Sequence, residues 1–474
     1  MKQFLILFFI LPSIIVTAQL VEITPDDLVG EDLLGFFIDL KGNELVATAS
    51  RSDVLPGVEG VVYYYTDDGS GWQVSQKITA QLPEDENGIT FGQAISFSDE
   101  WMFVALEESN QRESVVVFRK ENGTWSRHSK IDGANPDVGF GFSLAVEDNT
   151  AIIGSIIDFD DANEATGVAY VYKYAAFVDS WELSQVLSPN GLEIGDFFGS
   201  QIHFDGEVLA IAARNDGDNG ARSGAVYIYE ETQGAWVESA KLTPDDATEE
   251  NFIGFRIDGD EDQLIISGYG AEEERGASYI YRNDGAWVLE ARLDPGLLSS
   301  GDWFGSSVAI EGDRAIVGAR NSSDFSGSVY VFEKQNMEWT LDRIIDAPEG
   351  QEEGRFGAGV DFSEGQMIVS APWANNLSGQ LFSFDLGDSV SVTDAESEVP
   401  VLSLYPNPSY DHLTVELDNQ EVQEIEILSM MGFKVATYNY QGLPLDVSQL
   451  AAGSYLVRAT NDGTSVVLGR FVKK

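Results

Sequence analysis

Apolar and polar positions follow a pattern that returns along most of the chain, and residues 304–343 show it most clearly. An apolar run begins at Phe304-Gly305 and is followed by a polar turn and a second apolar run at 315–319. After a polar loop come the alternating residues 327–332, another turn and a last run that opens with Trp339. Short alternating runs bounded by Gly, Asp and Asn predict β-strands joined by tight turns. The unit therefore predicts four strands, and the chain repeats it seven times.

Three features mark the repeats. The first strand opens with an apolar residue and a glycine, at Leu34-Gly35, Phe91-Gly92, Phe140-Gly141, Phe198-Gly199, Ile253-Gly254, Phe304-Gly305 and Phe356-Gly357. The third strand is apolar or aromatic, at residues 60–65, 115–118, 167–172, 224–229, 276–281, 327–332 and 379–384. The fourth strand opens with a tryptophan, at Trp72, Trp125, Trp181, Trp236, Trp287 and Trp339. The spacing of roughly 50–58 residues is that of propeller blades.

A four-stranded sheet with two apolar faces cannot bury both alone, but blades packed radially bury them and leave short edges. The seventh unit lacks its tryptophan strand. The sequence LVEITPDD at residues 20–27 is similar to KLTPDD at residues 241–246, which ends the fourth strand of unit four. We therefore predict that residues 20–24 pair with residues 379–384 as the outer strand of the last blade and close the ring.

These units resemble FG-GAP repeats, which build the seven-bladed propeller of integrin α subunits and of many bacterial surface proteins. The resemblance covers residues 19–386 and implies that loops on one face engage partners. In integrins the hairpin between the first two strands carries a calcium loop, but here those hairpins are short, as at Lys41-Gly42-Asn43 and Glu311-Gly312-Asp313. Such turns have too few oxygens to surround calcium.

The two ends of the chain predict its destination. Residues 1–18 have a basic start, an apolar core and small residues before Gln19, which is typical of a signal peptide. Residues 387–400 are polar and acidic and predict a flexible linker. Residues 401–474 contain short alternating strands that predict a small Ig-like β-sandwich. The fold class is therefore all-β, a seven-bladed propeller followed by a sandwich.

The C-terminal segment also resembles the type A sorting domain of the type IX secretion system of Bacteroidetes. The residues that carry the likeness are Tyr405, Pro406, Asn407, Pro408, Gly432, Gly453, Tyr455 and Lys473. The resemblance implies the type IX secretion machinery as a partner, and it implies release or attachment at the outer surface. The alternative is an ordinary adhesive sandwich.

Composition excludes several classes of function. The chain has 79 acidic and 27 basic side chains and a formal net charge of −52. Nucleic-acid binding requires a basic face, and an anionic membrane surface would repel this protein. There is no cysteine, so disulfides and thiolate chemistry are excluded. We expect no cofactor; calcium is the ion to consider, and Asp258, Asp260 and Asp262 have partial metal-loop spacing, with an ordinary turn as the alternative.

Alignment of the first strands gives one column with polar members. It contains Asp39, Ser96, Ala145, His203, Asp258, Ala309 and Asp361. Because neighbouring positions are apolar, the column lies on one side of the innermost strand. One hypothesis is a polar ring in the channel that binds cations, centred on Asp39, His203, Asp258 and Asp361. The alternative is that these carboxylates accept backbone N–H groups of the next blade.

The loops between the second and third strands share a face with the connections between blades. That face collects acidic residues, among them Asp158, Asp160, Asp161, Asp216, Asp218, Glu272, Glu273 and Glu274. It is the face that engages partners in integrins, so one hypothesis is an acidic binding face for an unknown protein or glycan. The alternative is that the charges only keep an exported protein soluble.

Catalysis has little support in the sequence, and we identify no catalytic residue. The three histidines, His128, His203 and His412, lie in separate units, and there is no G-x-S-x-G or H-E-x-x-H motif. The first hypothesis is a surface or secreted module for binding or adhesion. The second is a polysaccharide-degrading enzyme at the channel mouth, which should show a cluster of His, Tyr or Arg at one end, whereas the units look nearly uniform. The third is a structural surface protein that takes up calcium.

Overall fold

The computed structural model describes two compact units, Met1–Ser389 and Val390–Lys474. The described residues of the first unit are 20–52, 60–82, 88–108, 113–133, 139–156, 166–296, 298–348 and 353–386. Those of the second are 402–405, 410, 412–417, 424–429, 434–439, 444–450, 453–461 and 464–474. The predicted signal peptide and linker lie outside these residues.

The first unit is a ring of seven four-stranded antiparallel sheets, which confirms the predicted seven-bladed propeller. Strand β1 (Val21–Glu22) comes first in the chain. The strands of the seven blades are β2 (Leu34–Lys41), β3 (Glu44–Ala49), β4 (Val61–Asp67), β5 (Trp72–Ile78); β6 (Gly88–Phe97), β7 (Trp101–Glu108), β8 (Glu113–Glu121), β9 (Thr124–Asp132); β10 (Phe140–Glu147), β11 (Thr150–Ser155), β12 (Val168–Ala175), β13 (Ser180–Leu187); β14 (Phe198–Phe204), β15 (Leu209–Ala213), β16 (Ala225–Thr232), β17 (Ala235–Leu242); β18 (Arg256–Asp260), β19 (Gln263–Gly268), β20 (Ala277–Asn283), β21 (Trp287–Leu293); β22 (Phe304–Glu311), β23 (Arg314–Ala319), β24 (Ser328–Gln335), β25 (Glu338–Asp346); and β26 (Gly359–Ser363), β27 (Gln366–Ala371), β28 (Gln380–Asp385).

The core lies between blades. One hydrophobic cluster joins Val62 and Tyr64 of the first blade to Phe91 and Val104 of the second, and equivalent clusters follow around the ring. The first strand of each blade contacts the first strand of the next, including β26 with β2. The alternating apolar faces read from the sequence are therefore buried by neighbouring blades, as expected for this architecture.

The amino end completes the last blade. In β1, Val21 pairs with Ser383 and Glu22 with Phe382 of β28, and the Ile23 N–H donates to the Leu381 carbonyl at 2.9 Å. The predicted pairing of residues 20–24 with residues 379–384 is confirmed. Strand β1 is therefore the outer strand that the seventh repeat lacks.

The glycine before each third strand sets the distance between blades. At Gly327, with φ +89°, an added Cβ would lie 2.0 Å from the carbonyl oxygen of Phe356 in the next blade. Its equivalents in five other blades meet the backbone of the following blade in the same way, at Gly60, Gly167, Gly224, Gly276 and Gly379. The repeated glycine therefore lets backbone pack directly on backbone.

Three four-residue helical turns follow the second strands of the last three blades: α1 (Ala271–Glu274), α2 (Ser322–Phe325) and α3 (Ala374–Leu377). Their interior residues have positive φ, so the turns are left-handed. The last carbonyl of each turn accepts the N–H of the residue before the next Phe-Gly position. The Phe325 carbonyl, for example, accepts the Arg355 N–H at 3.0 Å. These hydrogen bonds hold the residues that precede the Phe-Gly positions at one end of the channel.

The second unit contains two antiparallel sheets. Its strands are β29 (Leu402–Tyr405), β30 (His412–Leu417), β31 (Glu424–Ser429), β32 (Lys434–Asn439), β33 (Leu445–Asp446), β34 (Gly453–Asn461) and β35 (Thr464–Lys473). The sheet orders are β29-β30-β33 and β32-β31-β34-β35, and Leu413, Ile425 and Val457 belong to one shared cluster. In the described part of the chain, no helix is long and apolar enough to cross a membrane.

Candidate functional site at the channel mouths

The seven first strands surround a cavity of about 500 Å³. The first strands all run in the same direction along the channel, so its two ends are lined by different parts of the blades. We call the end with the turns between first and second strands the turn mouth; Lys41, Glu147 and Asp205 lie there. We call the other end the loop mouth; Phe36, Phe142 and Arg256 line the cavity near it.

Residues of the polar column form hydrogen bonds to the backbone of the neighbouring blade. Asp39 accepts the Phe97 N–H at 2.9 Å, and Asp258 accepts the Ile310 N–H at 2.8 Å. Asp361 accepts the Leu40 N–H at 2.8 Å, which joins the last blade to the first. In each case the column residue bonds to the position after the column in the next blade. This is the geometry that the alternative interpretation of the column expects.

A second set of hydrogen bonds between blades is formed at the turn mouth by residues two positions after the polar column. Asp260 accepts the Gly312 N–H at 2.6 Å, and Ser363 Oγ accepts the Gly42 N–H at 3.1 Å. Lys41 spans the mouth to pair with Glu147. The polar groups at this end are therefore largely occupied in closing the ring.

The weak metal candidates point to different partners. Asp258 and Asp260 accept the backbone bonds just described, and Asp262 pairs with Arg282 at 3.0 Å. Among the described residues, no three His, Asp or Glu side chains are placed to hold a metal ion. The structure therefore brings these three carboxylates into no common site.

His203 is the one imidazole in the channel lining. Its side chain is 11% exposed, with Nδ1 at 3.5 Å from Asp258 and Nε2 at 3.9 Å from Asp205. Burial lowers the pKa of His203, but the two carboxylates outweigh burial and raise that pKa to about 9. Burial raises the pKa of Asp39 to about 6, and it raises the pKa of Asp361 too, with the nearby Asp39 carboxylate adding to the shift.

His203 predicts a loss of stability at alkaline pH. Its folded pKa of about 9 exceeds the ordinary value of 6.5, so its stabilisation is complete below pH 6.5 and is lost as the pH rises through 9. The expected loss is about 2–3 kcal/mol in the free energy of unfolding. Denaturant unfolding between pH 6.5 and 10 measures it.

A second histidine, His128, supplies the matched control for His203. His203→Gln should flatten this pH dependence, whereas His128→Gln, at a site that pairs with Asp179 outside the channel, should leave it in place. Equal slopes for His203→Gln and the wild-type protein would contradict this assignment.

The predicted acidic face is partly a set of internal contacts. Asp216 is only 3% exposed and accepts from Tyr227 Oη at 2.8 Å and from Lys241 Nζ at 2.7 Å. Asp218 shares the same lysine. Asp158, Asp160 and Asp161 lie outside the described residues. Asp216 is therefore buried beneath the face and cannot present its carboxylate to a partner.

The remaining acids of that face lie on the α1 turn. Glu272 pairs with Arg275 and Arg292, and Glu274 accepts from Trp303 Nε1 at 3.2 Å. Glu273 is exposed. The structure thus gives most of these charges local partners, and it places the α1 turn at the rim of the loop mouth.

The same mouth carries a group of arginines against aromatic rings. We call it the arginine–aromatic mouth; its members are Phe36, Phe142, Phe197, Arg214, Phe252, Phe255, Arg256, Tyr269, Trp303, Arg320, Phe325, Arg355 and Trp373. Most come from blades four to seven. All thirteen side chains are partly or well exposed, so the group is open to ligand.

Each arginine of this group lies over a ring. The guanidinium carbon of Arg320 is 4.6 Å from the Trp303 centroid and 5.7 Å from that of Trp373. Arg355 lies 4.8 Å from the Trp373 centroid. Arg214 lies 5.2 Å from the Phe142 ring. Arginine and ring therefore alternate around the mouth.

The arginines have no acidic partner. Among the described residues, Arg214, Arg256, Arg320 and Arg355 form no ion pair, and the buried Nε of Arg320 has no hydrogen-bond acceptor. Burial, and then the charges of Arg320 and Arg214, lower the pKa of Arg256 to about 10. Burial and the charge of Arg355 lower the pKa of Arg320 to about 10 as well. Although the chain has 79 acids, no carboxylate among the described residues pairs with this positive cluster.

The residue just before the Phe-Gly position has a repeated backbone conformation. It has left-handed φ in Phe197, Phe252, Trp303 and Arg355, at 59°, 55°, 59° and 55°, and the buried Leu33 of the first blade has the same φ, at 55°. A left-handed bulky residue costs about 1–2 kcal/mol. This conformation therefore belongs to the repeated blade, and it places four of the side chains at the mouth.

The sequence interpretation missed this mouth. The expectation that the units are uniform is wrong here, because arginines concentrate in the last four blades. The sequence signal for the mouth is an arginine directly after the small residues that end the second strand. Blades four and six have it, as Ala213-Arg214 and Ala319-Arg320. Ser200 Oγ accepts the Arg214 N–H at 3.3 Å, and Ser306 does the same for Arg320 at 3.2 Å.

The described sorting-segment residues lie on strands. Tyr405 ends β29, while Gly453 and Tyr455 lie on β34 and pair with Lys473 and Phe471 of β35. Pro406, Asn407, Pro408 and Gly432 lie outside the described residues.

Two family models match parts of the chain. The FG-GAP repeat matches residues 181–229 and 287–332, and the secretion system C-terminal sorting domain matches residues 403–474. No curated protein matches. Among solved structures, the periplasmic gluconolactonase PpgL of Pseudomonas aeruginosa is similar, with 13% identity and a TM-score of 0.45, covering 64% of this chain and 83% of that one.

Proposed function

Because the chain carries FG-GAP repeats and a type IX sorting domain, it is a secreted or cell-surface propeller, and we propose that it is a binding module. We propose further that its ligand is anionic and binds at the arginine–aromatic mouth. The observation that carries the proposal is the set of four guanidinium groups without ion pairs among the described residues. Unpaired positive charge near the protein interior is costly, so it indicates a partner that arrives from outside.

The groups at this mouth suit binding better than proton transfer. With pKa values of about 10, Arg256 and Arg320 stay charged at neutral pH. Burial raises the pKa of Tyr269, so this phenol stays protonated at neutral pH and is a poor proton donor. An efficient general acid or base needs a pKa near the working pH. Fixed guanidinium forks instead recognise carboxylate, sulfate or phosphate.

Arg320→Met is the sharpest variant. We expect it to weaken ligand binding about 10–100-fold, because a charge-assisted hydrogen bond to the anion is lost. The melting temperature should not fall, because the substitution removes an unpaired buried Nε and relieves repulsion with Arg355. Glycan and surface-protein arrays probed with the full secreted protein measure binding, and calorimetry measures the melt.

Arg343→Met is the matched control. Arg343 lies on an outer strand, is 42% exposed and pairs with Asp342 at 2.5 Å. It should bind like the wild-type protein. Array hits that Arg320→Met retains in full would place the ligand elsewhere and contradict the proposal.

A second candidate function, a polysaccharide-degrading enzyme, has two observations in its favour. The arginine–aromatic mouth is a cluster of Arg and Tyr at one end of the channel, as expected of such an enzyme. Asp39, Asp361 and His203 have shifted pKa values in one channel, as catalytic groups often do. Their backbone and ion contacts give them a structural role as well. New reducing ends released from a polysaccharide panel by the wild-type protein, and lost in Asp39→Asn, would favour the enzyme over the binding module.

A further inference from the structure

The rings and guanidinium groups of the arginine–aromatic mouth form a continuous series. The Phe252 and Tyr269 rings are stacked, with centroids 5.1 Å apart and planes 4° apart. Tyr269 lies 4.6 Å from Trp303, which lies 4.6 Å from Arg320. Arg320 in turn faces Trp373. A ligand here therefore meets an apolar ring surface and a positive charge side by side.

A stacked guanidinium still offers its edge. Stacking occupies the face of the group, whereas its N–H donors point outward in its plane and can grip two oxygens of one anion. The Arg320 side chain donates to no acceptor among the described residues; its Nε is buried, whereas its Nη groups are not. Arg256 donates through Nη1 only to the Phe255 carbonyl at 3.0 Å. The free donors at the mouth thus match the oxygens of an oxyanion.

The net charge of the protein limits which class of molecule can bring an anionic group to this mouth. With a net charge of −52, the protein repels densely charged polymers such as nucleic acid. Glu274 at the rim, which accepts from the neutral Trp303 Nε1, adds to the repulsion. A flexible acidic peptide would lose much conformational entropy on binding. A ligand with one charge on each rigid, partly apolar ring fits better.

We infer that the ligand is an acidic sugar, a pyranose unit that carries one carboxylate or sulfate group, at the exposed end of a saccharide. Its C–H face packs on the rings of Trp303 and Trp373, and its anionic group binds the edges of Arg320 and Arg256. This inference rests on the proposed binding function. Carboxylate and sulfate share the required chemistry, so both sources are tested.

The experiment is titration calorimetry with the full secreted protein. The probes are tri-galacturonate, a singly sulfated galactose trisaccharide, neutral galactotriose and hexa-glutamate. We expect one of the two acidic sugars to bind at least about 10-fold more tightly than the neutral sugar. Arg320→Met should remove that preference, and Arg320→Lys should restore only part of it, because lysine keeps the charge without the planar fork.

Two further variants separate the ring contribution. Trp373→Leu should weaken the acidic sugar about 5–50-fold if the indole packs on it, while Arg343→Met should change nothing. Absence of binding by both acidic sugars overturns the inference. Hexa-glutamate that binds more tightly than either sugar and is lost in Arg320→Met overturns the sugar assignment but supports the proposed function. Sugar binding that Arg320→Met leaves intact overturns both.

Discussion

Protein that lacks residues 19–27 is expected to melt about 5–8 °C below the intact chain. The segment supplies the outer strand of the last blade, so its removal exposes β28 and opens the seam between the last blade and the first. The lost contacts include the Ile23–Leu381 backbone bond, the 2.8 Å bond from Gln380 to Glu22 and the 3.2 Å bond from the Leu381 N–H to Thr24. Differential scanning calorimetry on protein produced without residues 1–18 measures the loss.

The segment also holds the first blade. Asp27 accepts from Tyr63 Oη at 3.0 Å and from Lys77 Nζ at 2.7 Å, and Ile23 packs against the cluster that contains Tyr63. Together the lost bonds and apolar contacts are worth about 4–6 kcal/mol.

Two point variants serve as a matched pair for the deletion. Ile23→Asp should reproduce much of the destabilisation, because it places a charge in the seam. Val21→Asp should be nearly neutral, because Val21 is 52% exposed on the same short strand. A deletion that melts like the intact chain would show that the ring does not depend on its amino end.

Gly327→Ala is expected to lower the free energy of unfolding by more than about 4 kcal/mol. The added methyl group would meet the Phe356 carbonyl oxygen at 2.0 Å and its nitrogen at 2.6 Å. Both are backbone atoms of the next blade, so no side-chain rotation relieves the contact and the two blades must separate. The left-handed φ of +89° adds the ordinary penalty for a residue with a Cβ.

Gly312→Ala is the control for that variant. Gly312 also has positive φ, at +57°, but an added Cβ would meet nothing within 4 Å. It should cost only about 1 kcal/mol. Similar losses for the two variants, measured by denaturant unfolding, would mean that backbone conformation rather than blade contact explains the repeated glycine.

The repeat made the propeller and its closure predictable. Alternation, the Phe-Gly position and the tryptophan recur at fixed spacing, and burial between blades follows from that pattern. The pairing of β1 was predictable because one repeat lacked a strand and the sequence that resembled the missing strand stood at the other end. Local patterns carry this information because the blades contact mainly their neighbours.

The mouth was harder to predict for a physical reason. Its residues come from positions where the repeats differ, so aligning what recurs hides them. Arg214 and Arg320 each stand one residue past a recognised strand ending. Pairing of β22 with β23 brings Arg320 to Trp303, and packing of the next blade brings it to Trp373. Acidic residues were counted in sequence without knowing which had partners, and the burial of Asp216 against Lys241 shows how far such a count can mislead.

The central claim is that the arginine–aromatic mouth is the binding site. A crystal structure of the protein with the tightest array ligand bound tests it most directly. The account predicts ligand density in contact with Arg256, Arg320 and Trp373, with an anionic oxygen within hydrogen-bond distance of an Arg320 Nη group, because the Nε of that side chain is buried. Ligand density on the outer strands or at the turn mouth, with the arginines unoccupied, would contradict it.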